Sequence, residues 1–156
     1  MSAGRDSYRE IERKFLVRHL PADLASYLHV EMAQGYLVIA PGGVQVRLRK
    51  AGHEHSLTYK RNDGESRIER EIVLSAEQFD VLWPATKGRR LIKTRYAVPY
   101  GKLVVEIDVY RGRHEGILVA EVEFADEDAA REFIAPAWLG DDVSRDPRYS
   151  NQLLAS

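Results

Sequence analysis

Glu10-Ile11-Glu12-Arg13-Lys14-Phe15-Leu16-Val17 reads with a period of two. Glu10, Glu12 and Lys14 fall on one face of an extended strand, and Ile11, Phe15 and Val17 fall on the other. On a helix, residues two apart do not face one another, so the same letters would scatter. The strand therefore has an apolar face suited to a core. Its other face is a ledge of two carboxylates followed by an ammonium.

The arrangement recurs on both sides of a charge-sign change. Val44-Gln45-Val46-Arg47-Leu48-Arg49 sets Arg47 and Arg49 opposite Val46 and Leu48, and Leu57-Thr58-Tyr59-Lys60 sets Lys60 opposite Tyr59. Arg67-Ile68-Glu69-Arg70-Glu71 carries Glu69, with Arg67 and Glu71 on the same face. Ile92-Lys93-Thr94-Arg95-Tyr96 carries Lys93 and Arg95; Val105-Glu106-Ile107-Asp108-Val109 carries Glu106 and Asp108; Ala120-Glu121-Val122-Glu123-Phe124 carries Glu121 and Glu123. Strands are expected at about 8–18, 31–40, 44–49, 56–60, 67–74, 91–96, 105–109 and 120–124. Pro41-Gly42-Gly43, Asn62-Asp63-Gly64 and Pro99-Tyr100-Gly101-Lys102 are turn signals between them, so the sheet should be antiparallel. Short helices are expected over 21–28, from Ser75 to Trp83, after Asp126 and over 152–154, with 138–151 mostly loop and 1–7 frayed.

The totals narrow the class. A chain of 156 residues suits a single domain, 1–156, with a proper core. Net charge is −1 although 30% of residues are charged, so no global basic field draws in nucleic acid or an anionic membrane. The absence of cysteine excludes disulfides, thiolate metal sites and cysteine nucleophiles. Met1–Ser7 has no apolar run resembling a signal peptide, and no stretch approaches a membrane span, so a cytoplasmic protein is expected.

One strand with a charged face is the ordinary mark of a sheet wetted on one side. Here, however, like charges sit at i and i+2 on successive strands. That is unfavourable unless charge of the opposite sign lies between the strands. Eight strands can close into a barrel that holds side chains or one small ligand. A lumen lined by so many ions would be costly for stability alone and makes sense as a site. Cations would take an extended polyanion, and carboxylates without His or Cys would select Mg²⁺ or Mn²⁺. Phosphoryl transfer is chiefly positioning and charge stabilisation, and it needs no covalent nucleophile.

Glu-Ile-Glu-Arg-Lys at 10–14 resembles the ExExK signature of the CYTH superfamily, the triphosphate tunnel metalloenzymes. The similarity continues in order through Gln34-Gly35-Tyr36-Leu37, Val46–Arg49, Leu57–Lys60, Arg67–Glu69, Lys93–Tyr96, Glu106–Asp108, Glu121–Glu123, Trp138–Gly140 and Arg148–Asn151. The resemblance implies a mainly β, α+β fold: an eight-stranded antiparallel closed barrel, the triphosphate tunnel, with short helices outside. It implies Lys14, Arg47, Arg49, Lys60, Lys93 and Arg95 as triphosphate-binding residues, and Glu10, Glu12, Glu121 and Glu123 as ligands of Mg²⁺ or Mn²⁺. Glu69, Glu106 and Asp108 match further tunnel acids that would act in catalysis with Lys14, one of them orienting water.

Among the family's activities, a short member resembles the bacterial inorganic triphosphatases, with tripolyphosphate as substrate. A class IV-type adenylyl cyclase or a thiamine triphosphatase is the alternative, taking a nucleoside or thiamine triphosphate. A polyphosphate-binding module is the non-enzyme alternative, disfavoured by retention of every acid pair. The expected partner is a small polyanion, with no nucleic acid and no membrane; a homodimer is compatible with this reading.

Three weaker signals have plainer explanations. His53-x-His55 lacks the third ligand that a zinc site needs and reads as a wet loop. Gly42-Gly43 belongs to no phosphate-loop motif. Lys87, Arg89 and Arg90 would attract an anion or, more simply, line a solvated turn.

Overall fold

A computed structural model describes residues 11–62 and 67–156. Glu10, the Asp63-Gly64 turn and the segment 1–7 lie outside the described residues. The described chain forms two compact units, one spanning 32–92 and 151–156 and the other 11–31 and 93–150.

The strands are β1 (Ile11–Val17), β2 (Leu28–Ala40), β3 (Val44–Ala51), β4 (Glu54–Asn62), β5 (Arg67–Leu74), β6 (Arg90–Tyr100), β7 (Leu103–Tyr110), β8 (Leu118–Phe124) and β9 (Leu139–Asp142). The helices are α1 (Ala76–Leu82), α2 (Glu127–Glu132) and α3 (Asn151–Ala155). In the first unit the hydrogen-bonded order is β5-β4-β3-β2, and in the second it is β6-β7-β8-β1-β9. The paired strands are antiparallel, as the short turns require. At the β2–β3 hairpin, whose three-residue turn is Pro41-Gly42-Gly43, Gly42 and Gly43 have φ of 82° and 76°, positive values that glycine adopts without strain.

The expected eight-stranded closed barrel is corrected on both counts. Among the described residues there are nine strands, and their hydrogen-bonded series has two ends, β5 and β9, instead of closing on itself. Period-two alternation reports which face a residue occupies, not whether the outermost strands meet. The ninth strand, Leu139-Gly140-Asp141-Asp142, lies where a loop was expected because Gly and Asp are poor strand formers. It exists through its partner: Phe15 pairs with Asp142 and Val17 with Leu139. The helix expected over 21–28 is reduced to a 3-10 turn at Leu24–Ser26, and Tyr27 is already extended. A window that short cannot nucleate a helix without packing to hold it.

Each unit has its own core on the apolar side of its strands. In the second, Phe15, Val98, Val105, Ile107, Ala120, Val122 and Phe124 are buried together with Leu24 and Leu139, and Phe133 and Trp138 pack over them. In the first, Leu48, Leu74 and Phe79 are buried, with Leu57, Leu82 and Trp83 against them. Helix α1 is held in place by a capping box, Ser75 accepting from the Gln78 N–H and Gln78 from the Ser75 N–H. Among the described residues no helix is long and apolar enough to cross a membrane.

Candidate active site

Register carries the charged residues of the first unit onto one face. Arg47 on β3 stands between Tyr36 on β2 and Thr58 on β4; Arg49 stands between Gln34 and Ser56; Lys60 stands opposite Glu69 on β5. Glu71 completes the row from Arg47 through Thr58. The Arg49 Nε donates to Gln34 Oε1 at 2.9 Å. Arg47 is only 6% exposed; it bonds the Tyr36 hydroxyl, and its Nη2 reaches Thr58 Oγ1 at a long 3.4 Å. The Arg47 Nε and the Nε2 of Gln34, a residue 0% exposed, are buried donors with no acceptor in the protein. Burial raises the Tyr36 phenol above its ordinary range, against the pull of Arg47 and Arg49, so it remains a neutral hydroxyl.

Behind that face, Gly35 lets the chain lie close to the segment after α1. A Cβ on Gly35 would fall 2.6 Å from Thr86 Cβ and 2.8 Å from Trp83 Cζ3. The register shifts between Tyr36 and Val38, and Arg89 ties that point down, donating from Nε to the Tyr36 carbonyl at 2.9 Å and from Nη2 to Leu37 at 3.3 Å. Arg90 lies over the Trp83 ring at 4.4 Å and donates to Thr86 Oγ1 and the Trp83 carbonyl. Arg89 and Arg90, both half-buried, are thus packing clamps, while Lys87 beside them is exposed. His55 lies tilted against Phe79 with centroids 4.9 Å apart, as part of the packing around α1.

The second unit has a charged face of its own. Glu12 is opposite Glu123, Lys14 opposite Glu121, Glu121 opposite Glu106, and Asp108 opposite Arg95. Lys14 Nζ is 3.5 Å from Glu121 Oε1 and donates to the Tyr149 carbonyl at 3.1 Å. Asp108 is the most heavily engaged acid. It is 1% exposed and accepts from Lys93 Nζ at 2.8 Å, Arg95 Nε at 2.7 Å and Arg95 Nη2 at 3.0 Å. Burial works to raise its carboxyl, but Lys93 and Arg95 outweigh it and bring the value down to about 2. Arg95 also reaches Glu106 at 3.2 Å. Burial opposes the charge on Arg95, yet Asp108, Glu121 and Glu106 together raise its affinity for its proton.

Glu12 and Glu123 are a like-charged cross-strand pair, which is destabilising unless a cation lies near. Their donors are hard carboxylate oxygens, and Mg²⁺ is typically held by one or two carboxylates with water completing its shell. The pair therefore fits such an ion. Among the described residues no three His, Asp or Glu side chains converge as a closed metal shell, and Glu10 lies outside them. Glu12 also borders an open cleft of about 660 Å³ with Arg13, Arg131, Asp142 and Arg145.

The CYTH domain profile matches residues 8–150. The chain belongs to the CYTH family. It is 47% identical over 149 residues to an inorganic triphosphatase of Nitrosomonas europaea, covering 94% of this chain and 96% of that one. It is 33% identical over 148 residues to an inorganic triphosphatase of Acetivibrio thermocellus, covering 94% and 92%. A solved inorganic triphosphatase structure superposes with a TM-score of 0.76 at 42% identity over 95% of each chain. A putative adenylate cyclase of Bacillus halodurans, at 16% identity and TM-score 0.55 over 78% of this chain and 83% of its own, shares the fold alone.

In these terms, Arg47, Arg49, Lys60 and Glu69 share one face, and Glu12, Lys14, Lys93, Arg95, Glu106, Asp108, Glu121 and Glu123 share another. Gln34 was missing from the candidate residues. Its signal was present in Gln34-Gly35-Tyr36, where Gly between two polar positions marks a close backbone approach behind a polar face.

Proposed function

We propose that this single-domain CYTH protein is a triphosphatase that hydrolyses inorganic tripolyphosphate in a metal-dependent reaction. The observation that carries the reading is the buried, unpartnered Arg47 Nε on a face shared with Arg49 and Lys60. A buried guanidinium donor without an acceptor costs stability, and a phosphate oxygen supplies that acceptor. The full-length identity to inorganic triphosphatases supports tripolyphosphate over a nucleotide.

Arg47, Arg49 and Lys60 take phosphate oxygens in the first unit, and Lys14, Lys93 and Arg95 do so in the second. Lys93 and Arg95 reach that role already oriented by Asp108. Asp108 is therefore a positioning residue: both of its oxygens are engaged, and a carboxylate held near pKa 2 is a poor base. Glu106 and Glu69, less buried, are the acids suited to orient water. Water adds to a terminal phosphorus as the phosphoanhydride bond breaks, giving phosphate and pyrophosphate, with the water proton passing to an acid or to solvent. Glu12, Glu121 and Glu123, with Glu10, would hold Mg²⁺ or Mn²⁺, which when bound offsets charge on the phosphate oxygens. We assign the enzyme to the cytoplasm.

Phosphate release from tripolyphosphate, pyrophosphate, ATP and thiamine triphosphate, measured side by side with Mg²⁺ and Mn²⁺, tests the proposal. Tripolyphosphate should turn over fastest and pyrophosphate little. Cyclic AMP formed from ATP beside inert tripolyphosphate would reverse the ranking.

A further inference from the structure

We infer that Gln34 is a substrate-contacting residue whose side-chain amide donates to a phosphate oxygen beside Arg47 and Arg49. The inference rests on the triphosphatase reading and extends it to a neutral donor. Three observations converge on it. Register puts Gln34 directly opposite Arg49 and two residues from Tyr36, which is itself opposite Arg47. The amide is oriented, because its Oε1 accepts from Arg49 Nε at 2.9 Å, which leaves Nε2 as its donating end, beside the Tyr36 hydroxyl. The Nε2 donors are unpartnered on a side chain that is 0% exposed.

The burial is informative because a glutamine amide is mostly found in water. Leaving its donors unpaired away from water is destabilising, a penalty that persists only where something else compensates. Apolar packing would be met more simply by Met or Leu. The neighbouring Arg47 Nε is a second unpaired donor on the same face. Two buried donors on one face, with the neutral Tyr36 hydroxyl beside both of them, describe an anion's place. An amide adds directional hydrogen bonding without adding charge. It distinguishes a tetrahedral phosphoryl oxygen held at one position from a counterion attracted only by the arginines.

The alternative is that Gln34 serves only to hold Arg49, its donors being met by a buried water. A double-mutant cycle separates the two. Gln34→Met keeps the volume and removes both donor and acceptor; Gln34→Glu keeps the acceptor for Arg49 and replaces the donor with a carboxylate. Each is made alone and in an Arg49→Ala background. KM and kcat for tripolyphosphate are measured, together with calorimetric binding of tripolyphosphate without metal. We expect Gln34→Met to weaken binding about tenfold, the order of one lost hydrogen bond to a charged group. The same factor should persist in the Arg49→Ala background, and Gln34→Glu should weaken binding further in both. Affinity unchanged in either single variant, or a loss that vanishes once Arg49 is removed, overturns the inference. Should Gln34→Met fail to fold by circular dichroism, the Gln34→Glu pair decides alone. A wild-type protein that binds no tripolyphosphate would instead overturn the triphosphatase reading.

Discussion

Asp108 shows how much one side chain can organise. It is 1% exposed and accepts from Lys93, itself 0% exposed, and from Arg95. Asp108→Asn is isosteric but leaves the buried ammonium without that counter-charge. We expect a loss of about 3–5 kcal/mol in urea denaturation at pH 7, as for a broken buried pair. The pH dependence follows from the direction of the shift. The folded carboxyl, near 2, lies below the ordinary 3.8, so its contribution is complete above about pH 4 and disappears as pH falls toward 2. The difference in stability between wild type and Asp108→Asn should therefore shrink by roughly 2 kcal/mol across that window. A difference that stays constant from pH 5 to pH 2 would show that Asp108 carries no such linkage. Arg13 makes a contrasting point. It sits on the apolar face of β1, yet is held by Asp142 at 2.9 Å, the Ala130 carbonyl at 2.8 Å and the Phe15 ring at 4.9 Å. It secures β1, and with it Glu12 and Lys14 on the other face, to β9 and the end of α2.

At the scale of elements, strand β2 is shaped from behind. Gly35 admits Trp83 and Thr86, Arg89 holds the carbonyls at the register shift, and Gln34 and Tyr36 are thereby presented toward Arg47 and Arg49. Gly35→Ala should cost about 1–3 kcal/mol, typical of an added methyl in a packed region, because Thr86 and Trp83 must move. Thermal unfolding measures the loss, and tripolyphosphate affinity should fall with it as the Gln34 strand is displaced. An Ala variant as stable and as tight-binding as wild type would mean that the contact is easily relieved. The alternation in β1, β3, β4, β7 and β8 was readable in advance because sheet periodicity is local. The 3-10 turn at Leu24–Ser26 and strand β9 were not, since a marginal segment takes whatever form its neighbours pair with.

For the molecule as a whole, the cores and the candidate site residues occupy opposite sides of the same strands. Each unit has an apolar core on one side, and the candidate site residues stand on the other. Removing divalent metal with a chelator should abolish turnover while leaving the melting temperature unchanged within a degree or two, since neither core includes the acids proposed to bind metal. A melting temperature that drops by many degrees would show the metal to be structural. The sequence by itself determined which residues share the charged faces, the antiparallel pairing and the family, because side-chain alternation and turn residues act over a few positions. Tertiary structure decided three things that local pattern cannot carry: that a ninth strand pairs with β1 and the described strands do not close on themselves, that Asp108 is bound up with Lys93 and Arg95, and that the Arg47 Nε and Gln34 Nε2 are buried without a hydrogen-bond acceptor. The physical reason is common to all three. Strand closure, ion pairing and donor satisfaction are settled by partners distant in the chain, and the alternation that places a residue on a face says nothing about which neighbour will meet it there.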